Sequence, residues 1–169
     1  RLDEPTKGLV FAPLNDLTGD GDWAFNQAYM YAGLEVFGKA LQQFGDPRGD
    51  EARAAAKRLA EAVDRGFRIA SAKSPVVQLR AHTWIPYVPS EANTFQRLMD
   101  DWYPTDVDTG AVHLLRLKAV SPTSDLADWL LHDHEDNLFY RGWGIANEPV
   151  YNQHATAYLL RDDVKAVIR

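Results

Sequence analysis

Over residues 23–44 the apolar positions recur at helical spacing without staying on one side. Phe37, Ala40, Leu41 and Phe44 form a stripe, while Phe25, Tyr29, Met30, Tyr31, Leu34 and Val36 spread around the remaining circumference. A helix that is apolar all round is expected to be buried. Asp22 stands where an N-cap is needed, and Gly45 followed by Pro47 is a stop signal. Residues 50–72 read differently. Ala52, Ala56, Leu59, Val63, Phe67 and Ala70 make one stripe, and Arg53, Lys57, Arg58, Glu61, Asp64, Arg65 and Arg68 cover the rest. The pairs Glu61–Arg65 and Asp64–Arg68 stand at i,i+4, the mark of a solvated helix face. The short link at 45–49 predicts that the two helices pack as an antiparallel pair, the first inner and the second outer.

Beyond this hairpin the period changes. Val77, Leu79, Ala81, Ile85 and Tyr87 alternate with Gln78, Arg80, His82 and Trp84, so 76–88 reads as an extended, β-like excursion. One face of it presents polar and aromatic side chains, as a solvated hairpin or as a binding surface. A short helix is expected at about 91–101. Another is expected at 109–120, capped by Asp108 or Thr109 and ended by Ser121–Pro122, although 112–120 also partly alternates as a strand would. Residues 124–137 read as its partner, with Leu126, Trp129, Leu130 and Asp133 near one face. Pro149 suits a first helical turn, so 150–160 is expected to be a third inner helix and 162 onward its outer partner. The fold class is therefore all-α: antiparallel helical hairpins joined by long loops at 8–22, 74–108 and 138–149, with one small β-like excursion. With the last hairpin cut short, the chain reads as a piece of a longer protein.

The 169 residues suffice for one domain, 1–169, with a real core. A net charge of -6 argues against a nucleic-acid partner, which needs a basic surface. No apolar run approaches the roughly 18 residues of a membrane span. The absence of cysteine excludes a disulfide scaffold and thiolate metal ligands, and it fits either the cytoplasm or a secreted bacterial protein. Aromatic residues are 11% of the chain, and Trp23, Trp84, Trp102 and Trp143 all lie at or near the three loops. Such rings either pack as small satellite cores or line a cleft for a flat, partly polar ligand such as a sugar.

The run Trp102–Tyr103–Pro104–Thr105–Asp106–Val107–Asp108–Thr109–Gly110–Ala111–Val112–His113–Leu114, then His134–Glu135–Asp136–Asn137–Leu138–Phe139, Asn147–Glu148–Pro149–Val150–Tyr151 and Tyr158–Leu159–Leu160–Arg161–Asp162–Asp163, resembles the six-hairpin glycosidase superfamily. The similarity is to the (α/α) toroid domain of large bacterial glycoside-hydrolase-like proteins, and it covers roughly 23–169. It implies an (α/α)6 toroid of which this chain supplies about half a ring. Inner helices would surround a cleft and the loops leading into them would carry the site. It further implies a carbohydrate or polysaccharide ligand, with the remainder of the toroid or another copy of the chain as partner. A bacterial secreted, periplasmic or cell-surface location is favoured over the cytoplasm.

Glycoside hydrolysis needs two carboxyl groups across one bond, and six-hairpin enzymes commonly invert. Carboxyl groups at inner-helix starts or in the loops before them are Asp20, Asp22, Glu91, Asp106, Asp108 and Glu148. Glu148, beside Trp143 and Tyr151, is the first choice for general acid, because desolvation there would raise its pKa. It also stands where it would complement a helix dipole. Asp106 or Asp108 would be the base, with a plain N-cap as the competing role for Asp108. Trp102, Trp143, Tyr151, Asn152, His82, Arg80 and Trp23 are candidates for sugar contacts. Asp16, Thr18, Asp20, Gly21 and Asp22 match the first half of a calcium loop, making Asp16, Asp20 and Asp22 candidate ligands. The twelfth position is Gln27, however, so the bidentate closing ligand is missing; no other cofactor is expected. In 132–136 the two histidines point to different sides of an α-helix, so a solvated helix end is expected rather than a metal cluster. Two further readings stay open: a non-catalytic carbohydrate-binding or scaffold segment, and another toroid chemistry. Under the latter, a polysaccharide lyase would use Tyr151 and His154, and Asp106–Val107–Asp108 faintly resembles an acidic cyclase motif.

Overall fold

The computed structural model describes residues 6–13, 19–94, 110–139 and 154–168. Among them the chain is mostly helical, with six α-helices and two small antiparallel sheets. The strands β1 (Ala12–Pro13) and β2 (Asp20–Gly21) pair ahead of α1 (Ala24–Gln43) and α2 (Arg48–Lys73). A hairpin of β3 (Val76–Gln78) and β4 (Trp84–Pro86) follows. Then come α3 (Val112–Arg116), α4 (Asp125–Asp133), a π-helical turn at His134–Phe139, α5 (His154–Leu159) and α6 (Val164–Ile168). No helix among the described residues is long and apolar enough to cross a membrane.

The first hairpin forms within a residue or two of its expected ends. α1 and α2 approach closely because both carry glycine at the crossing. A Cβ on Gly38 would lie 2.9 Å from the Gly49 carbonyl oxygen, and one on Gly49 would lie 2.8 Å from the Gly38 oxygen. The inner and outer assignment does not hold for this pair. α1 buries Ala24, Gln27, Ala28 and Gly38, while Val36, Phe37 and Phe44 are 68, 59 and 87% exposed. α2 instead buries nine residues, among them Leu59, Val63 and Phe67. The cause is the number of neighbours. Among the described residues, α1 packs against α2, α3 and the first loop, and an apolar groove of about 500 Å³ lined by Val10, Tyr29, Met30, Leu34 and Phe37 runs along another side.

One core joins the elements. Leu59, Val63 and Phe67 of α2 cluster with Val112, Leu114 and Leu115 of α3 and with Leu126, Leu130 and Leu131 of α4. Burying a side chain the size of Phe67 is worth roughly 1.5–3 kcal/mol. α3 packs against both α1 and α5, whereas α2 lies on α1, α4 on α3 and α6 on α5. The helices expected to be inner thus form a row, and each has its own hairpin partner.

The excursion is a hairpin rather than one strand. The chain reverses between Leu79 and Thr83, where the Leu79 amide donates to the Thr83 carbonyl at 2.8 Å and His82 sits at φ 62°. At 91–94 there is a bridge and a turn instead of a helix start; 95–101 lies outside the described residues. α3 is half the expected length, because Lys118 adopts φ 63° and the Val120 amide donates back to the Leu114 carbonyl, ending the helix before Ser121. Its helical state removes the strand alternative. Its N-cap is Ala111; Asp108 and Thr109 lie outside the described residues. α4 starts at Ser124, whose hydroxyl accepts the Ala127 amide, and it buries Leu126, Leu130 and Asp133 as the pattern anticipates.

Candidate functional site

The first loop is fastened to α1 by two buried or half-buried amides. The Gln27 Oε1 accepts the Val10 amide at 2.9 Å and its Nε2 donates to the Val10 carbonyl at 2.7 Å. Asn26 Nδ2 donates to the Pro13 carbonyl at 2.9 Å. β1, held in this way, pairs with β2, whose Asp20 and Gly21 lead into Asp22 before α1.

There the first loop meets the second. The Asp22 amide donates to Glu91 Oε1 at 2.9 Å, and the Asn93 amide donates to Glu91 Oε2 at 3.1 Å. The Ala24 amide donates to the Ser90 carbonyl, and the Ala92 amide to that of Asp22. Two carboxylates are thereby brought together in the interior, Asp22 at 4% exposure and Glu91 at 5%. Burial, reinforced by the negative charge of Glu91, pushes the Asp22 carboxyl up to about 6. Asp22 is not the N-cap expected of it. The cap position is Trp23, which makes no side-chain capping bond. The Trp23 backbone bridges to Glu91, and its Nε1 donates to the Gly19 carbonyl at 3.2 Å. Gly21 has no room for a side chain: a Cβ would meet the Trp23 indole nitrogen at 2.7 Å and Glu91 Cγ at 3.3 Å.

The second loop in turn meets the π-helical turn that precedes the third. Arg80 donates through Nε to Asp136 Oδ1 at 2.7 Å and through its amide to Asp136 Oδ2 at 2.9 Å. Asn137 Nδ2 donates to the Gln78 carbonyl at 3.1 Å and to Asp133 Oδ1 at 2.8 Å. Arg80 therefore anchors the β3–β4 hairpin to the π-helical turn. His82 is exposed at the hairpin tip.

No protein-family model, curated protein or solved structure matches the chain.

The structure also assembles a group that the residue spacing hid. His113, His134 and His154 are all buried, and 132–136 is not a solvated end: Asp133 and His134 face the interior while His132 stays outside. The two histidines do point to different sides, as expected, because the His134 amide still donates to the Leu130 carbonyl and α-helical rotation carries His134 onto the buried Leu126–Leu130 face; what is overturned is the solvated end. A π-helical turn begins at His134, and such turns often accompany functional positions. His134 Nδ1 and His154 Nε2 are 2.5 Å apart, one donating to the other. His113 packs edge-on against Phe25, with centroids 4.9 Å apart, and lies 5.9 Å from the Tyr29 ring. Arg116 donates to the Tyr29 hydroxyl at 2.5 Å and sits over its ring. Burial holds the His154 imidazole well below its usual range, and His134 and His113 push the same way. The one available signal was His113 itself, a polar residue inside the apolar run 111–115.

The starts of α1, α3 and α5 thus lie at one end of the row. Of the candidates named from sequence, Glu148, Asp106, Asp108, Trp102, Trp143, Tyr151, Asn152 and Asp16 lie outside the described residues. Of the candidate calcium ligands, Asp20 is exposed on β2, Asp22 is buried, and Asp16 lies outside the described residues. Among the described residues, no group of three or more His, Asp or Glu side chains is placed to hold a metal ion.

Proposed function

We propose that the chain belongs to an (α/α) toroid domain of glycoside-hydrolase type and acts on a carbohydrate or polysaccharide through paired carboxylates. The observation that carries this reading is the buried Asp22–Glu91 pair at the start of α1, with Asp22 raised to about 6. A carboxylic acid that keeps its proton near neutral pH is what protonation of a glycosidic oxygen requires. In the inverting reaction, Asp22 gives its proton to the leaving oxygen as the bond from that oxygen to the anomeric carbon breaks. Water adds to that carbon from the opposite face and loses a proton to a second carboxylate. Glu91 supplies the charge that helps hold Asp22 protonated, and the indole of Trp23 offers a face for a sugar ring. Read from sequence alone, Glu148 is the acid and Asp106 or Asp108 the base; with Asp22 as the acid, the base is one of these three loop carboxylates. The family resemblance also favours a secreted, periplasmic or surface location in a bacterium. The row of α1, α3 and α5, each backed by its own partner, supports the toroid arrangement.

A second reading is a non-catalytic carbohydrate-binding scaffold. It is favoured by the two main-chain amides that Glu91 accepts, because they make the pair a fastening between two loops. Turnover of defined polysaccharides by the longest available form of the protein separates the two. The hydrolase reading expects Asp22→Asn to lower kcat by about 10²–10⁴-fold, the usual worth of a positioned proton donor. Unchanged turnover in that variant removes Asp22 from the mechanism. Sugar binding without hydrolysis by the unaltered protein supports the scaffold.

A further inference from the structure

His134 closes α4 and His154 opens α5, so their hydrogen bond ties together two points 20 residues apart in sequence. Both rings are buried, and their centroids are 4.8 Å apart. A bond between two imidazoles needs one nitrogen with a proton and one without. It therefore exists only while at least one ring is neutral. When both rings are charged, each bonding nitrogen carries a proton and the contact turns repulsive.

We propose that the His134–His154 pair is an acid-released fastening that joins α5 to the π-helical turn in neutral solution and lets go of it when both rings are protonated. Among the described residues, the groups whose charge acts on His154 are His134 from the turn and His113 from α3, and both oppose its protonation. On α3, Arg116 is the other charged group and is committed to Tyr29. On α4 and the turn, Asp133 accepts from Asn137 and Asp136 is paired with Arg80. On α6, Lys165 is exposed, as is Asp163 just before it. The far end of α5 is held independently. Arg161 donates to Asp128 at 2.5 Å and to the Pro122 carbonyl, contacts that involve no histidine. Loosening on acidification is thus expected to start at the histidine end. Burial supplies the driving force, since an unfastened ring regains water and an ordinary affinity for protons.

The test is hydrogen exchange of the unaltered chain from pH 7.5 to 4.5, with rates corrected for the intrinsic pH dependence of amide exchange. The amides of α5 and of the π-helical turn are expected to lose protection at least tenfold per pH unit below about 6, one factor of ten for each proton taken up on opening. The amides of α1 and α2 should keep theirs. In His154→Leu, which keeps an apolar filling and cannot titrate, the slope should fall by about one proton. Imidazole ¹⁵N shifts give a reading independent of any variant: one bonded nitrogen protonated and one bare at pH 6. Protection of α5 that does not change between pH 7 and 5 would overturn the proposal. So would a His154 ring that titrates near 6.5 inside the folded protein.

Discussion

Asp22 is a residue whose chemistry and stability pull in opposite directions. Its carboxyl titrates near 3.8 in an open chain and at about 6 in the folded protein. The folded state therefore binds the proton more tightly, so stability is highest below the unfolded value and falls as pH rises through about 6. Above that pH the buried charge costs on the order of 1–3 kcal/mol, from the size of the shift. Asp22→Asn removes that cost. Chemical denaturation at pH 7.5 should find the variant more stable than the parent, with the gain vanishing at pH 4. Equal stability of the two at pH 7.5 would show that the carboxyl is solvated. A substitution that stabilises the fold while abolishing turnover would mark Asp22 as a residue kept for function. That Asp22 was a candidate could be read from its place before a helix, but its partner could not. Glu91 is 69 residues away, and only the folded chain shows that its oxygens reach the Asp22 and Asn93 amides.

At the scale of elements, the α1–α2 hairpin depends on two glycines facing each other. A Cβ at Gly38 would lie 2.6 Å from Arg53 Cγ and 2.9 Å from the Gly49 oxygen. The side chain of Arg53 can swing away, but the backbone oxygen cannot. Gly38→Ala should therefore cost about 1–3 kcal/mol, the usual penalty for overpacking, despite the better helix propensity of alanine. Urea denaturation measures it, and a stabilised variant would show that the helices do not touch there. The hairpin was legible because Gly45 and Pro47 interrupt it and the stripe from Ala56 to Ala70 has a single face. The burial of α1 was not. A pattern apolar on every side states what could be covered, while coverage is decided by neighbours, and among the described residues the neighbouring helices of α1 are α2 and α3. The histidine pair was missed for another reason: His134 continues the buried face of Leu126 and Leu130, but its partner His154 is 20 residues away and shows only in the folded chain.

Across the whole molecule, Glu91 links the first loop to the second, and Arg80 with Asp136 links the second to the π-helical turn that precedes the third. The long loops and short links of the sequence anticipated such a gathering, since helices joined by tight turns alternate in direction and return every second start to one end. What the pattern could not supply was the identity of the contacts, each of which joins residues more than 50 positions apart. The same gathering places Asp22 and Glu91 away from water, and the proposed chemistry depends on that one arrangement. The most direct test is an NMR titration of the Asp22 side-chain carbon. A midpoint near 6, moving part of the way toward 4 in Glu91→Gln, is the predicted result. A midpoint at or below 4 in the unaltered protein would contradict it.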